Sequence, residues 1–76
     1  MKELIATMAR ELVERPEEVS VTEIASDSQI LYELRVAKTD IGKVIGRDGR
    51  TAQSMRTILT AVASKTGKKT HLEIVE

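Results

Sequence analysis

The residues best suited to hold a ligand lie in one short segment, residues 41–50, between two predicted helices. Gly46 and Gly49 permit a tight turn with backbone angles that other residues disfavour, and they let a ligand approach the main chain closely. The helix that begins near Arg50 adds unpaired N–H groups and partial positive charge at its N-terminus. Arg47, Arg50 and Lys43 add full positive charges. The segment therefore predicts a site that binds phosphate groups by shape and charge.

The glycine pattern alone leaves a simpler alternative open, because Gly-x-x-Gly also occurs as an ordinary turn between helices. Asp48 lies inside the turn and would repel phosphate, so Arg47 and Arg50 must outweigh it and we expect modest affinity. The glycine patterns of P-loop and dinucleotide-binding proteins are absent from the sequence.

Other residues that could act in catalysis or metal binding are better interpreted as ordinary surface or core residues. His71 is the only histidine, and no nucleophile or orienting partner is evident for it, so we interpret it as a surface residue. Glu17 and Glu18 follow Pro16 as a solvated connection. We interpret the methionines as packing residues and not as metal ligands, and we expect Tyr32 in the core. The sequence thus predicts neither an enzyme nor a metal or cofactor site.

Composition narrows the class of protein further. The 76 residues contain no cysteine and one aromatic residue, Tyr32. The first fact excludes disulfides and thiolate metal sites and favours the cytoplasm. The second disfavours modules that stack bases on aromatic side chains. No apolar run is long enough to span a membrane, no signal peptide is evident, and the length predicts one small domain whose thin core a partner would help.

The net charge of zero hides a strong polarity along the chain. Residues 1–34 carry three Lys and Arg against eight Asp and Glu, whereas residues 35–69 carry nine against two. The positive part contains the Gly46–Gly49 turn. This asymmetry indicates an anionic partner such as nucleic acid, although a patchy solvated surface is the alternative.

Hydrophobic periodicity predicts elements in the order α-β-β-α-α-β. The first helix covers residues 2–15, with Leu4, Ile5, Met8, Ala9, Leu12 and Val13 as its apolar positions, and Pro16 ends it. A strand begins at residues 19–21, and the phase of Ile24 predicts that it bulges or ends early. Residues 30–36 alternate as the clearest strand, with an apolar face toward the helices.

The second half of the chain places the glycine turn between two more helices. Thr39 or Asp40 could cap a short helix over residues 41–45. A longer helix runs from Arg50 to about Thr66, followed by Gly67; its predicted buried stripe is Ala52, Met55, Leu59, Val62 and Ala63. Residues 70–75 form the last strand. The first two strands should pair antiparallel, and the last should run parallel to the second if these two are neighbours.

The segment from Val44 to Gly49, with Ala52 and Met55 after it, resembles the signature of the KH domain. The helix and strand in residues 2–25 resemble the type II arrangement, and the length is similar to that of small bacterial proteins with a single KH domain. The resemblance implies an α+β fold with a three-stranded mixed sheet and its helices on one face. The whole of residues 1–76 would be one KH domain, with its core at about 29–75.

The KH resemblance also implies a ligand and a set of contacts. Single-stranded RNA would lie in an aliphatic groove beside the turn, which clamps about four nucleotides. Because such a groove reads bases without aromatic stacking, the scarcity of aromatic residues is no obstacle. The implied RNA-binding residues are the clamp, its neighbouring cations, three groove residues and two lysines of the variable loop: Gly46, Arg47, Asp48, Gly49; Lys43, Arg50; Ile45, Ala52, Met55; Lys68, Lys69.

Small KH proteins of this kind are expected to be RNA chaperones and post-transcriptional regulators. The resemblance implies a homodimer, a heterodimer with a larger KH-containing protein, and in some bacteria a link to cell shape and cell-wall synthesis. An alternative is a protein-interaction scaffold for which RNA binding is secondary. The acidic first half and the short core favour that alternative.

Overall fold

The computed structural model describes residues 1–75, which form three α-helices and one three-stranded sheet. The elements are α1 (Lys2–Leu12), β1 (Ser20–Ala25), β2 (Gln29–Arg35), α2 (Ile41–Ile45), α3 (Arg50–Ala63) and β3 (Lys69–Val75). Single helical turns at Pro16–Glu18, Lys38–Asp40 and Arg47–Gly49 precede β1, α2 and α3. The predicted order and the α+β, type II KH architecture are confirmed. Glu76, counted in the predicted domain, lies outside the described residues.

The sheet has the strand order β1-β2-β3. β1 pairs antiparallel with β2, and β3 pairs parallel with β2, as predicted. Pairing between β1 and β2 is continuous up to Ala25, so the expected bulge or early end at Ile24 was wrong. Ile24 is out of phase because it lies three residues after Val21, which packs on the core, and so points to the opposite face.

The helices cover one face of the sheet. The buried core combines residues from each helix with residues from β2 and β3 and the residue directly after β2: Ile5, Ala9, Tyr32, Leu34, Val36, Val44, Met55, Leu59 and Leu72. The first helix therefore shares one core with the elements around the glycine turn. Within residues 1–75 no helix has the length and apolar character needed to cross a membrane.

The helices α1 and α3 are shorter than their periodicity predicts. α1 ends at Leu12, well before Pro16, and Val13 is already extended (φ −98°, ψ 160°). α3 ends at Ala63, because the Thr66 N–H and hydroxyl both donate to the Ala63 carbonyl (2.9 and 2.8 Å) in a tight turn. Gly67 has a φ of +74° but lies beyond this turn, not directly after the helix.

The apolar stripes of α1 and α3 are wider than the three-stranded sheet can cover. Val62 was predicted in the buried stripe of α3 but is 45% exposed. On α1, Leu4 and Leu12 are 38% and 41% exposed, whereas Ile5 and Ala9 are buried. The outer edges of both helices thus leave apolar side chains at the surface.

Candidate functional site

The turn between α2 and α3 contains three residues with positive φ: Gly46 (79°), Asp48 (57°) and Gly49 (74°). The Gly46 N–H donates to the Gly42 carbonyl (2.9 Å), and the Gly49 N–H donates to the Gly46 carbonyl (3.2 Å). Aspartate is one of the few residues besides glycine that tolerate the left-handed region. The turn is therefore compact and internally hydrogen-bonded.

Gly46 packs directly against the first turn of α3. A Cβ atom at this position would lie 2.7 Å from the Cβ of Thr51 and 2.9 Å from the Thr51 backbone nitrogen. Both distances are too short for real contacts, so only glycine fits here. The turn and the first turn of α3 are therefore in close contact.

Positive charge surrounds this turn. Arg47, Asp48 and Arg50 are exposed, and no side chain caps the N-terminus of α3 at Gly49. The N-terminal end of α3 therefore carries two exposed cationic residues, Arg47 and Arg50, with Asp48 as the opposing charge. This arrangement can hold an anion such as a phosphodiester.

Lys43 lies upstream of the turn, but its ammonium group already has partners. Its Nζ is 3.0 Å from Glu14 Oε1 and 3.4 Å from Asp40 Oδ1. The hydrogen bond to Glu14 raises the pKa of Lys43 above its ordinary value of 10.5, against an opposing effect of burial. The structure thus places this predicted site residue in an ion-pair network on the α1 side of α2.

Asp40 is buried, with 1% of its surface exposed. It occupies the N-cap position of α2, yet its carboxylate makes no capping hydrogen bond, which corrects the predicted side-chain cap. Instead, the backbone N–H groups of Glu14 and Arg15 donate to Oδ1 and Oδ2 (3.2 and 3.1 Å). Burial by itself raises the pKa of Asp40, but these two donors and Lys43 outweigh it, and the pKa lies below the ordinary 3.8.

The three predicted groove residues lie at different depths. Ile45 is 39% exposed directly beside Gly46. Ala52 and Met55 are buried in the core, with 3% and 2% of their surface exposed. Ile45 is therefore the member of this set that presents apolar surface next to the turn.

A second set of polar residues, which the sequence did not predict, lies where α3 meets the edge strand β3. Arg56 Nη2 donates to the Leu72 carbonyl (3.2 Å). Around this bond is a hollow of about 240 Å³ lined by Arg56, Leu59, Thr60, Thr70, His71 and Leu72. We call it the α3–β3 groove. Its signal in the sequence was the spacing of Arg56 and Thr60, four and eight residues after Ala52, beside the buried stripe.

Two predicted site residues extend the α3–β3 groove: Lys68, in the loop before β3, and Lys69, which is the first residue of β3 and not a loop residue as predicted. Lys68 and Lys69 line an adjoining hollow of about 250 Å³, which shares Thr60, Thr70 and His71 with the first. His71 is exposed, as expected, but it is next to these two lysines. The 14 residues of α3 separate the lysines from the glycine turn by about 21 Å along the helix axis. A ligand that touches both ends must therefore lie along α3.

A separate apolar hollow of about 350 Å³ lies between α1 and α3. It is lined by Thr7, Met8, Glu11, Leu12, Thr51, Ser54, Met55 and Ile58. We call it the α1–α3 groove. Leu12 and Ile58, each 41% exposed, leave apolar surface along it. In the described part of the chain, no three His, Asp or Glu side chains cluster as metal ligands would.

Comparison with known proteins gives one consistent result. The sequence model of the family described as "KhpA/KhpB, KH domain" matches residues 2–74. A protein of Chlamydia muridarum, named RNA-binding protein KhpA, is 51% identical over 76 residues, which cover 100% of this chain and 97% of that protein. Proteins with the same name from Listeria monocytogenes and Aquifex aeolicus are each 46% identical over all of this chain, covering 100% and 96% of their own lengths. The search of solved structures gave no match.

Proposed function

Because the chain belongs to the KhpA/KhpB KH-domain family, we propose that it binds single-stranded RNA without catalysing a reaction. The clamp is the Gly46–Gly49 turn. The observation that carries the proposal is the position of this turn at the uncapped N-terminus of α3, where Arg47 within the turn and Arg50 directly after it are both exposed. The relatives named RNA-binding protein KhpA support RNA as the ligand.

The clamp holds phosphates and leaves base recognition to the neighbouring surfaces. Close approach at the two glycines and the charge of the arginines act on the RNA backbone and are indifferent to sequence. Bases then lie against Ile45 and along the α3–β3 groove, where Arg56 and Thr60 offer polar groups. Lys68 and Lys69 bind the RNA at the far end of α3.

The test is a titration of a short fluorescently labelled single-stranded RNA with the Arg47→Asp variant. Since Asp48 is already acidic, this one change gives the clamp two adjacent acids. Affinity should fall at least about ten-fold, because a hydrogen bond to a charged group contributes about 1.5–3 kcal/mol. The slope of log affinity against log salt should also become shallower, by about 0.7 for each phosphate that the variant no longer neutralises.

The matched control is Lys2→Asp, which changes the net charge by the same amount in the first turn of α1. An acid is favourable at a helix N-terminus, so this control should fold well and bind RNA within about three-fold of the wild type. Circular dichroism checks that both variants are folded. Equal affinity of the folded Arg47→Asp variant and the wild type would exclude the clamp.

We also propose that residues 1–76 act as one KH domain. The support is the shared core, in which Ile5 and Ala9 of α1 pack with Leu34 and Val44. Asp40 adds hydrogen bonds across the two parts of the chain. A single cooperative unfolding transition, observed with both circular dichroism and Tyr32 fluorescence, is the expected result.

A second candidate function is that of a partner-binding subunit, either as a homodimer or with a larger KH-containing protein. The observation that favours it is the apolar α1–α3 groove, which lies away from the α3–β3 groove and exposes Leu12 and Ile58. Ile58→Lys should lower the sedimentation coefficient of any assembly and leave RNA affinity unchanged. Thr57→Lys, exposed on the same helix and outside this groove, is the control.

In the cell, we propose that the protein acts in the cytoplasm as an RNA chaperone and post-transcriptional regulator. The link to cell shape and wall synthesis rests on the family resemblance. A deletion strain complemented with the wild-type chain or with Arg47→Asp tests it. Restored cell dimensions with the wild type only would tie the phenotype to RNA binding.

A further inference from the structure

Asp40 is a buried carboxylate whose hydrogen bonds join two distant parts of the chain. A buried carboxylate is stable only when donors surround it. Here the donors are the N–H groups of Glu14 and Arg15, which are 26 and 25 residues away in the sequence, and the ammonium group of Lys43. Glu14 and Arg15 belong to the connection between α1 and β1. Asp40 therefore attaches this connection to the start of α2.

The helix α2 needs such an attachment. It has five residues, Ile41–Ile45, which give little more than one turn and are not stable as a helix by themselves. Its orientation depends on tertiary contacts: Val44, which is completely buried, and Asp40 directly before its first residue. Because Gly46 directly follows α2, any rotation of α2 moves the clamp.

Lys43 belongs to the same network. Its Nζ bridges Glu14 Oε1 and Asp40 Oδ1 at 3.0 and 3.4 Å. A phosphate could recruit this ammonium group only by competing with both carboxylates. The geometry therefore favours a structural role for Lys43 over direct contact with RNA.

We propose that Asp40 is a positioning residue for the clamp. With Lys43 as its partner, it holds α2 against the connection after α1, so that the Gly46–Gly49 turn is already formed before a ligand arrives. The connection between α1 and β1 then helps to position the RNA-binding turn. This inference rests on the proposed RNA binding for its effect on affinity, but its effect on the turn is present in the free chain.

The first experiment follows amide hydrogen exchange in the free chain by NMR. The N–H groups of Gly46 and Gly49 are both hydrogen-bonded within and beside the turn, so their exchange reports its opening. In Asp40→Asn, exchange at these two glycines should be about ten-fold faster relative to Leu34, a core strand residue that reports global unfolding. Asp27→Asn, the same change in an exposed turn, should leave the ratio unchanged.

The second experiment measures RNA affinity at several salt concentrations. Asp40→Asn should bind at least about five-fold more weakly with an unchanged salt slope, since a less populated competent turn lowers affinity without removing a phosphate contact. Lys43→Gln should also keep the wild-type slope, whereas Arg47→Gln should make it shallower by about 0.7.

The outcomes separate this inference from the proposed function. Wild-type protein that does not bind RNA overturns the proposed function, and the exchange experiment still tests Asp40. Wild-type exchange at Gly46 and Gly49 in folded Asp40→Asn overturns the positioning role, whatever the affinity. If Asp40→Asn does not fold, Lys43→Gln decides: faster exchange at the two glycines with an unchanged slope supports the role, and a slope shallower by about 0.7 or wild-type exchange overturns it.

Discussion

Gly46 and Gly49 look equivalent in the sequence, but their surroundings differ. Gly46 has φ 79° and ψ 173°, a region that costs other residues about 1–3 kcal/mol. It also packs against the backbone of Thr51. Gly49 has φ 74° and ψ 11°, the milder left-handed region, and a Cβ there would meet no atom within 4 Å. The two halves of the clamp should therefore respond differently to the same substitution.

We expect Gly46→Ala to lower the free energy of unfolding by about 2–6 kcal/mol, the sum of backbone strain and the clash with Thr51. Gly49→Ala should lower it by only about 1–2 kcal/mol, from the left-handed backbone alone. Urea denaturation of the two variants beside the wild type measures the difference. Equal losses would contradict the crowding at Gly46.

Asp48 combines a positive φ with a negative charge inside the clamp. Asparagine has the same size and also tolerates the left-handed region, so Asp48→Asn removes the charge with little change in shape. RNA affinity should rise by up to about five-fold at low salt, in line with the roughly 0.2–1 kcal/mol typical of exposed charge pairs. The gain should shrink as salt increases. Asp27→Asn is the control, and an equal gain in both variants would point to net charge alone.

At the scale of elements, α1 packs on the sheet with only one side of its apolar stripe. Ile5 is completely buried against the sheet, whereas the adjacent Leu4 is 38% exposed. Three strands offer too little surface to cover the full width of α1 and α3 together. The uncovered edge, which includes Leu12 and Ile58, is the wall of the α1–α3 groove.

The pair Ile5 and Leu4 tests this asymmetry within one helix. Ile5→Ala should cost about 3 kcal/mol, because it removes a buried side chain and leaves a cavity. A chain of this size has a total stability of about 4–11 kcal/mol, so the loss is large. Leu4→Ala should cost less than about 1 kcal/mol. Thermal or urea unfolding gives both values. A larger loss of unfolding free energy for Leu4→Ala than for Ile5→Ala would contradict the burial described for α1.

At the scale of the whole molecule, the Asp40 network links stability to pH. The pKa of Asp40 lies below its ordinary 3.8 because the donors from Glu14, Arg15 and Lys43 outweigh the cost of burial. The folded chain therefore binds this proton less readily than the unfolded chain does. The stability that Asp40 contributes is present above the ordinary pKa and is lost as the pH falls through 3.8 toward the lower folded value.

The difference in unfolding free energy between the wild type and Asp40→Asn should thus be constant above about pH 5 and shrink at lower pH. Urea denaturation between about pH 6 and pH 2.5 measures it. Asp27→Asn, the same change at an exposed position, is the control. A wild-type advantage that stays constant down to the lowest pH would contradict the network.

The order of the elements, the strand faces and the glycine turn could be predicted from the sequence, since each depends on residues close together in the chain. Alternation in residues 30–36 indicates β2, and helical spacing indicates α1 and α3. The glycine pair and its flanking cations locate the turn. The predictions at Ile24 and at the ends of α1 and α3 were wrong because hydrogen bonds, and not periodicity, decide where an element ends. The Thr66 hydrogen bonds to Ala63, for example, end α3 earlier than its apolar spacing predicts.

Tertiary structure alone decided which groups meet. It assigned Asp40 to N–H groups 25 and 26 residues away, placed Arg56 on the Leu72 carbonyl of β3, and left Val62 exposed. A local pattern specifies what a residue can bind or bury, but the partner depends on how distant segments pack. The sequence by itself therefore determined the location of the glycine turn and the charged residues around it. The α3–β3 groove exists only because α3 packs against β3. The Asp40 network exists only because α2 packs against the connection after α1.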